Sequence, residues 1–275
     1  MIRPMYLVIL ADGRTRQQPL TAGEAPAAFA ATADGQTVLE RAVARLAPLI
    51  DPFDVVVVTD RRNGQTVRGL VPKALVLAEP MHRNTAASVA LATVAIDRPD
   101  DEPMLVVVAD HDIEDEEAYR DAIGTIGESL SDGENDGVAP LMAFSVTPTE
   151  PDPDRSYIRP RFGDAVRVGA LRAFPVDGYE AHPAATRAQE LFESGTTYWS
   201  AGVFLWQRGA IRAAIERYTP LLTLIEPAYR SELALTAAYD RLQPLSIDET
   251  VLAGAGGDDA VFTIPLDVGW REVRS

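Results

Sequence analysis

Glu79-Pro80-Met81-His82-Arg83-Asn84-Thr85-Ala86 is a polar segment that opens into an alanine-rich run. The next strand-like run, Leu105-Val106-Val107-Val108, stops on Ala109-Asp110-His111. A short, continuous apolar run bounded by polar residues reads as a buried strand of an α/β fold, where helices cover both faces of the sheet. Ligands of such folds bind in the crevice beyond the C-terminal ends of parallel strands. Asp110 therefore places a carboxylate where the metal of a nucleotide would sit. Each segment alone has a plainer reading, a helix cap and a strand-end turn. Their order along one chain is what points to a site.

The pattern extends in both directions. Tyr6–Leu10 reads as a first strand, ending in the turn Ala11-Asp12-Gly13. Helical spacing over Thr37–Leu46 leads to strands at Asp54–Thr59 and Ala74–Leu77. A helix over Thr85–Ile96, a strand over Met104–Val108 and a helix over Glu114–Leu130 follow. Alternation of this kind predicts a mostly parallel, Rossmann-like sheet flanked by helices. Beyond Leu141–Val146 the pattern changes. Pro148, Pro151, Pro153 and Pro160 mark a smaller, antiparallel, loop-rich region, with Val166–Phe174 expected as one strand. Helices are expected again at Ala184–Ser194, Ile211–Tyr218 and, less regularly, Glu226–Leu242. One domain over 1–275 is expected, its two halves meeting at about residue 140.

A chain of 275 residues is long enough to bury roughly three quarters of its unfolded surface. The net charge of −16 argues against nucleic acid or an anionic membrane as partner, since both require a cationic face. Lys73 is the only lysine among 25 basic residues, a bias that suits either a high-salt cytoplasm or a GC-rich genome. The absence of cysteine excludes disulfides, thiolate catalysis and cysteine-zinc sites. His82, His111 and His182 lack zinc-like spacing, and no G-x-S-x-G elbow supports a hydrolase triad. No leader or membrane span is apparent, so a cytoplasmic location is expected.

The two segments resemble the E-P-x-x-R-N-T-A and P-A-D-H motifs of the mannose-1-phosphate guanylyltransferases. The likeness continues in register. Ser145–Pro151 is similar to G-I-x-P-T-x-P, Tyr157-Ile158 to the end of Y-G-Y-I, and Tyr198–Phe204 to x-x-W-N-S-G-I-F. Leu245–Asp248 is similar to x-S-I-D, and Gly269–Val273 to G-W-S-D-V. The resemblance implies transfer of a guanylyl group from GTP to mannose 1-phosphate, with Mg²⁺ held by Asp110 and Glu272 across one cleft. It implies a nucleotide site at Leu10, Ala11, Gly13, Arg14, Arg83, Asn84 and Asp110, with Arg16 and Asp110 as catalytic groups. It implies a sugar site at Tyr157, Ser200 and Gly202. A homodimer is expected, without the C-terminal β-helix that the family usually carries.

Departures from the pattern fall on the chemistry. Asp12 replaces a glycine of the phosphate cradle, where glycines let backbone N–H groups close around phosphate. Ala27 stands at the lysine of P-K, and Ala173-Phe174 are taken as the positions of E-K in E-K-P, which would remove a carboxylate and a cation. These losses leave open an alternative, a non-catalytic relative that binds a sugar nucleotide and regulates a partner.

Overall fold

The computed structural model describes residues 5–11, 26–132 and 140–273. Strand β1 (Tyr6–Leu10) sits between β2 (Val55–Asp60) and β4 (Pro103–Val108), and β3 (Leu75–Glu79) lies outside β2. All three of these pairings are parallel, with Leu7 opposite both Val55 and Leu105. Helices α1 (Val38–Leu46), α2 (Gly64–Leu70) and α3 (Asn84–Ala95) make the crossovers. Helix α1 begins where expected, because Thr37 and Glu40 form a reciprocal capping box. Helix α2 was not anticipated from the sequence: it has seven residues, two of them glycine, too few turns to show a period.

After β4 come a two-residue strand β5 (His111–Asp112), the long helix α4 (Glu116–Asp132) and β6 (Leu141–Val146). Strands β7 (Ser156–Pro160), β8 (Val166–Val168) and β9 (Leu171–Ala181) follow, then α5 (Ala185–Glu193) and β10 (Tyr198–Gln207). Helices α6 (Arg208–Tyr218), α7 (Leu221–Ile225) and α8 (Glu232–Tyr239), a π-helical turn at Asp248–Leu252 and α9 (Ala253–Gly257) precede β11 (Val261–Pro265) and β12 (Arg271–Glu272). The single strand expected over Val166–Phe174 is instead a hairpin, β8 and β9, turning at Gly169 with φ +58°. The irregular stretch Glu226–Leu242 resolves into one short helix, α8.

Strand order in the main sheet is β3-β2-β1-β4-β10-β6-β11-β9-β7, with β8 added on β9. Strand β10 runs antiparallel to both β4 and β6, whereas β11 and β6 are parallel. The sheet is therefore mixed α/β: parallel through its first half and chiefly antiparallel beyond β4. Because β10 is hydrogen-bonded to β4, strands from both halves of the chain share one sheet. Side chains alternate across it. Leu7 and Ile9 face α1 and α4 with Leu39, Leu46, Ile123 and Ile126, while Tyr6, Val8 and Leu10 face α3 and α6 with Val89, Leu91 and Ile211. Among the described residues no helix is long and apolar enough to cross a membrane.

Candidate active site

Strand β4 ends at Val108, and the chain then turns Asp110 into a cleft with its residue 1% exposed. The Oδ1 atom of Asp110 lies 2.8 Å from His111 Nε2. The approach is not aligned for a hydrogen bond, so Oδ1 is buried without a hydrogen-bond partner. Strand β12 returns beside this turn: Glu272 pairs with His111, and the Val273 N–H donates to the Asp110 carbonyl at 2.6 Å. Asp110 and Glu272 thus line the same cleft, together with Asn84, Ser200 and Gly202. Four segments far apart in sequence converge there.

The start of α3 shapes one wall. Asn84 adopts φ +63°, a left-handed conformation that Asn tolerates better than most residues, and its Oδ1 accepts from the Thr85 N–H at 2.7 Å. Thr85 Oγ1 accepts from the Ile247 N–H at 2.9 Å, tying this wall to the segment that carries Asp248. Arg83, expected at the nucleotide, is not among the residues lining the cleft. Its Nε donates to the Tyr239 carbonyl at 2.8 Å. Glu79 of the same motif is buried and accepts from Ser88 Oγ and Tyr239 OH, each at 2.9 Å. Glu79 and Arg83 therefore anchor the end of α8 against α3.

The opposite wall is β10. Gly202 has φ +66°, and a Cβ there would sit 2.8 Å from His111 Cε1 and 3.2 Å from Val108 Cγ2. Only glycine meets both demands, and the register irregularity between Ser200 and Phe204 marks where the strand bends around the cleft. Ser200 Oγ donates to Asp248 Oδ1 at 3.1 Å. Burial pushes the Asp248 carboxyl up to about 7, with the nearby charge of Glu249 adding to it and the Ser200 hydrogen bond opposing. Asp248 lines the cleft and is a polar group that motif reading quoted without assigning a role.

Other expectations are corrected. Tyr157 is fully buried, its hydroxyl accepting the Asp152 N–H at 2.9 Å and its ring edge-on to Trp199. It holds the loop before β7 and does not reach the cleft, which its neighbour Ser156 lines instead. Ala173 is in the core and Phe174 packs against Phe162, so neither borders the cleft. His182, just beyond β9, does border it, with φ +47° and its N–H on the Arg155 carbonyl. The supposed loss of sugar contacts at Ala173 and Phe174 thus concerns positions remote from the cleft. Leu10 is a core residue, and Ala11 is held between β1 and β2 through the Val58 carbonyl and Thr59 hydroxyl. Ala27 is buried in a 3₁₀ turn. Asp12, Gly13, Arg14 and Arg16 lie outside the described residues.

Sequence reasoning also missed Arg155. Its guanidinium is stacked between Trp199 and Trp270, 5.3 and 5.1 Å from the ring centroids. Its Nη2 donates to Glu272 Oε2 at 2.8 Å, and its Nε lies 3.4 Å from Asp152 Oδ2. Proline-rich surroundings gave no signal for it, since the two indoles come from β10 and the turn before β12.

No group of three or more His, Asp or Glu side chains converges among the described residues. A Mg²⁺ ion, however, is usually held by one or two carboxylates plus substrate phosphates and water. The orphaned Oδ1 of Asp110, with Glu272 on the same cleft, fits that pattern.

A mixed α/β sheet with a carboxylate-lined cleft at the end of its parallel strands defines a class, and the chain belongs to the nucleotidyl transferase family, whose model matches residues 6–241. Within it the chain is similar to mannose-1-phosphate guanylyltransferases. It is 28% identical over 288 residues to that of Escherichia coli K12, and 31% identical over 294 residues to ManC of Salmonella typhimurium LT2. Each match covers 98% of this chain and 58% of the relative, so the chain spans little more than half the length of these curated relatives. Among solved structures, the mannose-1-phosphate geranyltransferase of Thermus thermophilus superposes with a TM-score of 0.76 at 28% identity, over 98% of this chain and 76% of that one.

Proposed function

We propose that this chain is a mannose-1-phosphate guanylyltransferase, converting GTP and mannose 1-phosphate to GDP-mannose and pyrophosphate. The observation that carries this reading is the convergence of Asn84, Asp110, Ser200, Gly202 and Glu272 on one cleft, in a chain whose curated relatives include enzymes of that name. In the reaction a phosphate oxygen of the sugar 1-phosphate attacks the α-phosphorus of GTP, and the bond from that phosphorus to the bridging oxygen breaks as pyrophosphate leaves.

Asp110 and Glu272 would hold Mg²⁺, which would neutralise charge gathering on the α-phosphate. The rest is positioning by this chain's own groups, which supplies most of the rate where little covalent chemistry falls to the protein. The wall at Asn84 belongs to the nucleotide side of the cleft, and Ser200 with Asp248 offers paired hydroxyl and carboxyl groups to sugar hydroxyls. Arg14 and Arg16 would meet the triphosphate. Residues 1–140 form the nucleotide half in this reading, 141–275 the sugar half, and the working location is the cytoplasm.

The test is pyrophosphate release by purified protein given Mg²⁺, each nucleoside triphosphate and each hexose 1-phosphate, at low and molar salt. GDP-mannose as the preferred product supports the reading. Preference for another base or sugar overturns it, and binding of GDP-mannose without turnover would make the cleft a binding site only.

A further inference from the structure

Glu272 already has a cation. Arg155 and Glu272 are 13% and 12% exposed and 2.8 Å apart. The guanidinium is fixed between two indoles, an arrangement that suits its flat, weakly hydrated charge. It is also the only Arg or Lys among the described residues lining the cleft, against Asp110, Asp154, Asp248 and Glu272. In the Y-G-Y-I pattern, whose last two residues are Tyr157-Ile158, Arg155 stands at the first position.

The guanidinium takes Oε2 of Glu272, so an ion bound through this carboxylate either displaces Arg155 or sits on Oε1 beside its charge. In either case Arg155, keeping only its 3.4 Å contact with Asp152 or sharing Glu272, stands beside a divalent charge in a partly desolvated cleft, which is unfavourable. The repulsion disappears when an anion joins the site, because a phosphate can take the guanidinium's N–H groups while its other oxygens face the ion. We infer that Arg155 is the resident counter-ion of Glu272 and competes with the divalent cation for it, so that the cation binds tightly only when a phosphorylated ligand draws Arg155 away. Metal and phosphate ligand then raise each other's affinity, as linkage requires. This rests on the reading of Asp110 and Glu272 as ligands of the ion, and it adds a device that orders ligand binding.

The experiment is a Mn²⁺ titration of the whole chain, read by the electron paramagnetic resonance of free Mn²⁺, with and without mannose 1-phosphate. Wild type should bind Mn²⁺ weakly alone and at least tenfold more tightly with the sugar phosphate. Arg155→Met, which keeps the stem between the indoles, and Arg155→Gln, which keeps a donor for Glu272, should each bind Mn²⁺ alone at least tenfold more tightly than wild type. Arg155→Lys should stay near wild type. Adding Glu272→Gln to Arg155→Met or to Arg155→Gln should abolish the gain. Wild-type affinity in both neutral variants, or a gain that survives Glu272→Gln, overturns the inference. Absence of Mn²⁺ binding in every protein would instead overturn the metal reading beneath it. The comparison of variants is made without any sugar phosphate, so a different preferred base or sugar would leave that arm of the result intact.

Discussion

Two motif-bearing segments of this molecule, Glu79–Ala86 and Tyr198–Phe204, do opposite things from those their composition suggests. The first is rich in charge and amide groups, yet Glu79 and Arg83 turn inward to hold Ser88 and Tyr239, and only its end, Asn84 and Thr85, reaches the cleft. The second is dominated by apolar and small residues, yet Ser200 and Gly202 form a cleft wall. Charge in a sequence motif signals a demand for a partner, and a buried partner inside the fold meets that demand as well as a ligand does. Small residues signal room, and room is what a ligand needs.

The largest effect that bears on this contrast is at the carboxylate between the two segments. Asp110→Asn should lower kcat by about a thousandfold, or roughly 4 kcal/mol in the barrier, with a much smaller loss of stability, since Oδ1 has only the misaligned contact with His111 to lose. Steady-state rates beside a thermal melt check both halves. An active Asp110→Asn would separate this cleft from the chemistry.

Asp248 gives a pH signature of comparable size. Its folded value of about 7 stands above the ordinary 3.8, so the native state holds a proton that the unfolded chain releases at lower pH. Its contribution is at its best below about pH 4, declines between pH 4 and 7, and stays at its most unfavourable above that. Because Asp248 is only partly buried at the residue level, we discount the full shift to about 2–4 kcal/mol. Asp248→Asn should therefore gain stability over wild type in urea unfolding at pH 8, with the gain fading toward pH 4. A pH-independent difference would remove the buried-carboxyl account of this wall.

On the other segment, Glu79→Ala should cost about 2–4 kcal/mol by leaving Ser88 and Tyr239 without their shared acceptor in the core. Its effect on KM for GTP should be less than threefold. A large KM change with little loss of stability would return Glu79 to the ligand and undo the contrast. Gly202→Ala forces a β-carbon into the left-handed region and against His111, at a cost of about 1–3 kcal/mol. Activity should fall by more than the stability loss alone accounts for, measured at a temperature where the variant remains folded.

The smallest effect concerns the whole surface. With net charge −16 and a single lysine, screening in about 1 M salt should raise Tm by a few degrees over dilute buffer. A flat or falling Tm would favour genome composition as the origin of the arginine bias.

Local pattern was enough for the four strands of the parallel half. The runs Tyr6–Leu10 and Leu105–Val108 are strands because both of their faces are buried, a condition that writes itself into sequence as unbroken apolar residues. Asp110 was legible for the same reason: a carboxylate that ends such a run must lie at the sheet's open end. The family motifs pointed to Asn84, Ser200, Gly202 and Glu272 as well, and the fold brings these four to one cleft. What the sequence could not show was direction. Tyr157 and Arg83 occupy the same motifs as true lining residues, but a side chain's aim depends on which strand or helix lies beside it. Antiparallel insertion of β10 between β4 and β6 could not be read from the alternation of strands and helices. That pairing carries Ser200 and Gly202 to the cleft from nearly a hundred residues away. It stacks Trp199 on Arg155, and β12 closes the other side with Trp270 and Glu272. Sequence alone determined the strands of the parallel half, most of its helices and where a carboxylate had to stand, because burial and period act locally. Only tertiary structure decided which polar groups face one another, because a hydrogen bond or ion pair is chosen by distance in space, and residues far apart in the chain can compete for one carboxylate.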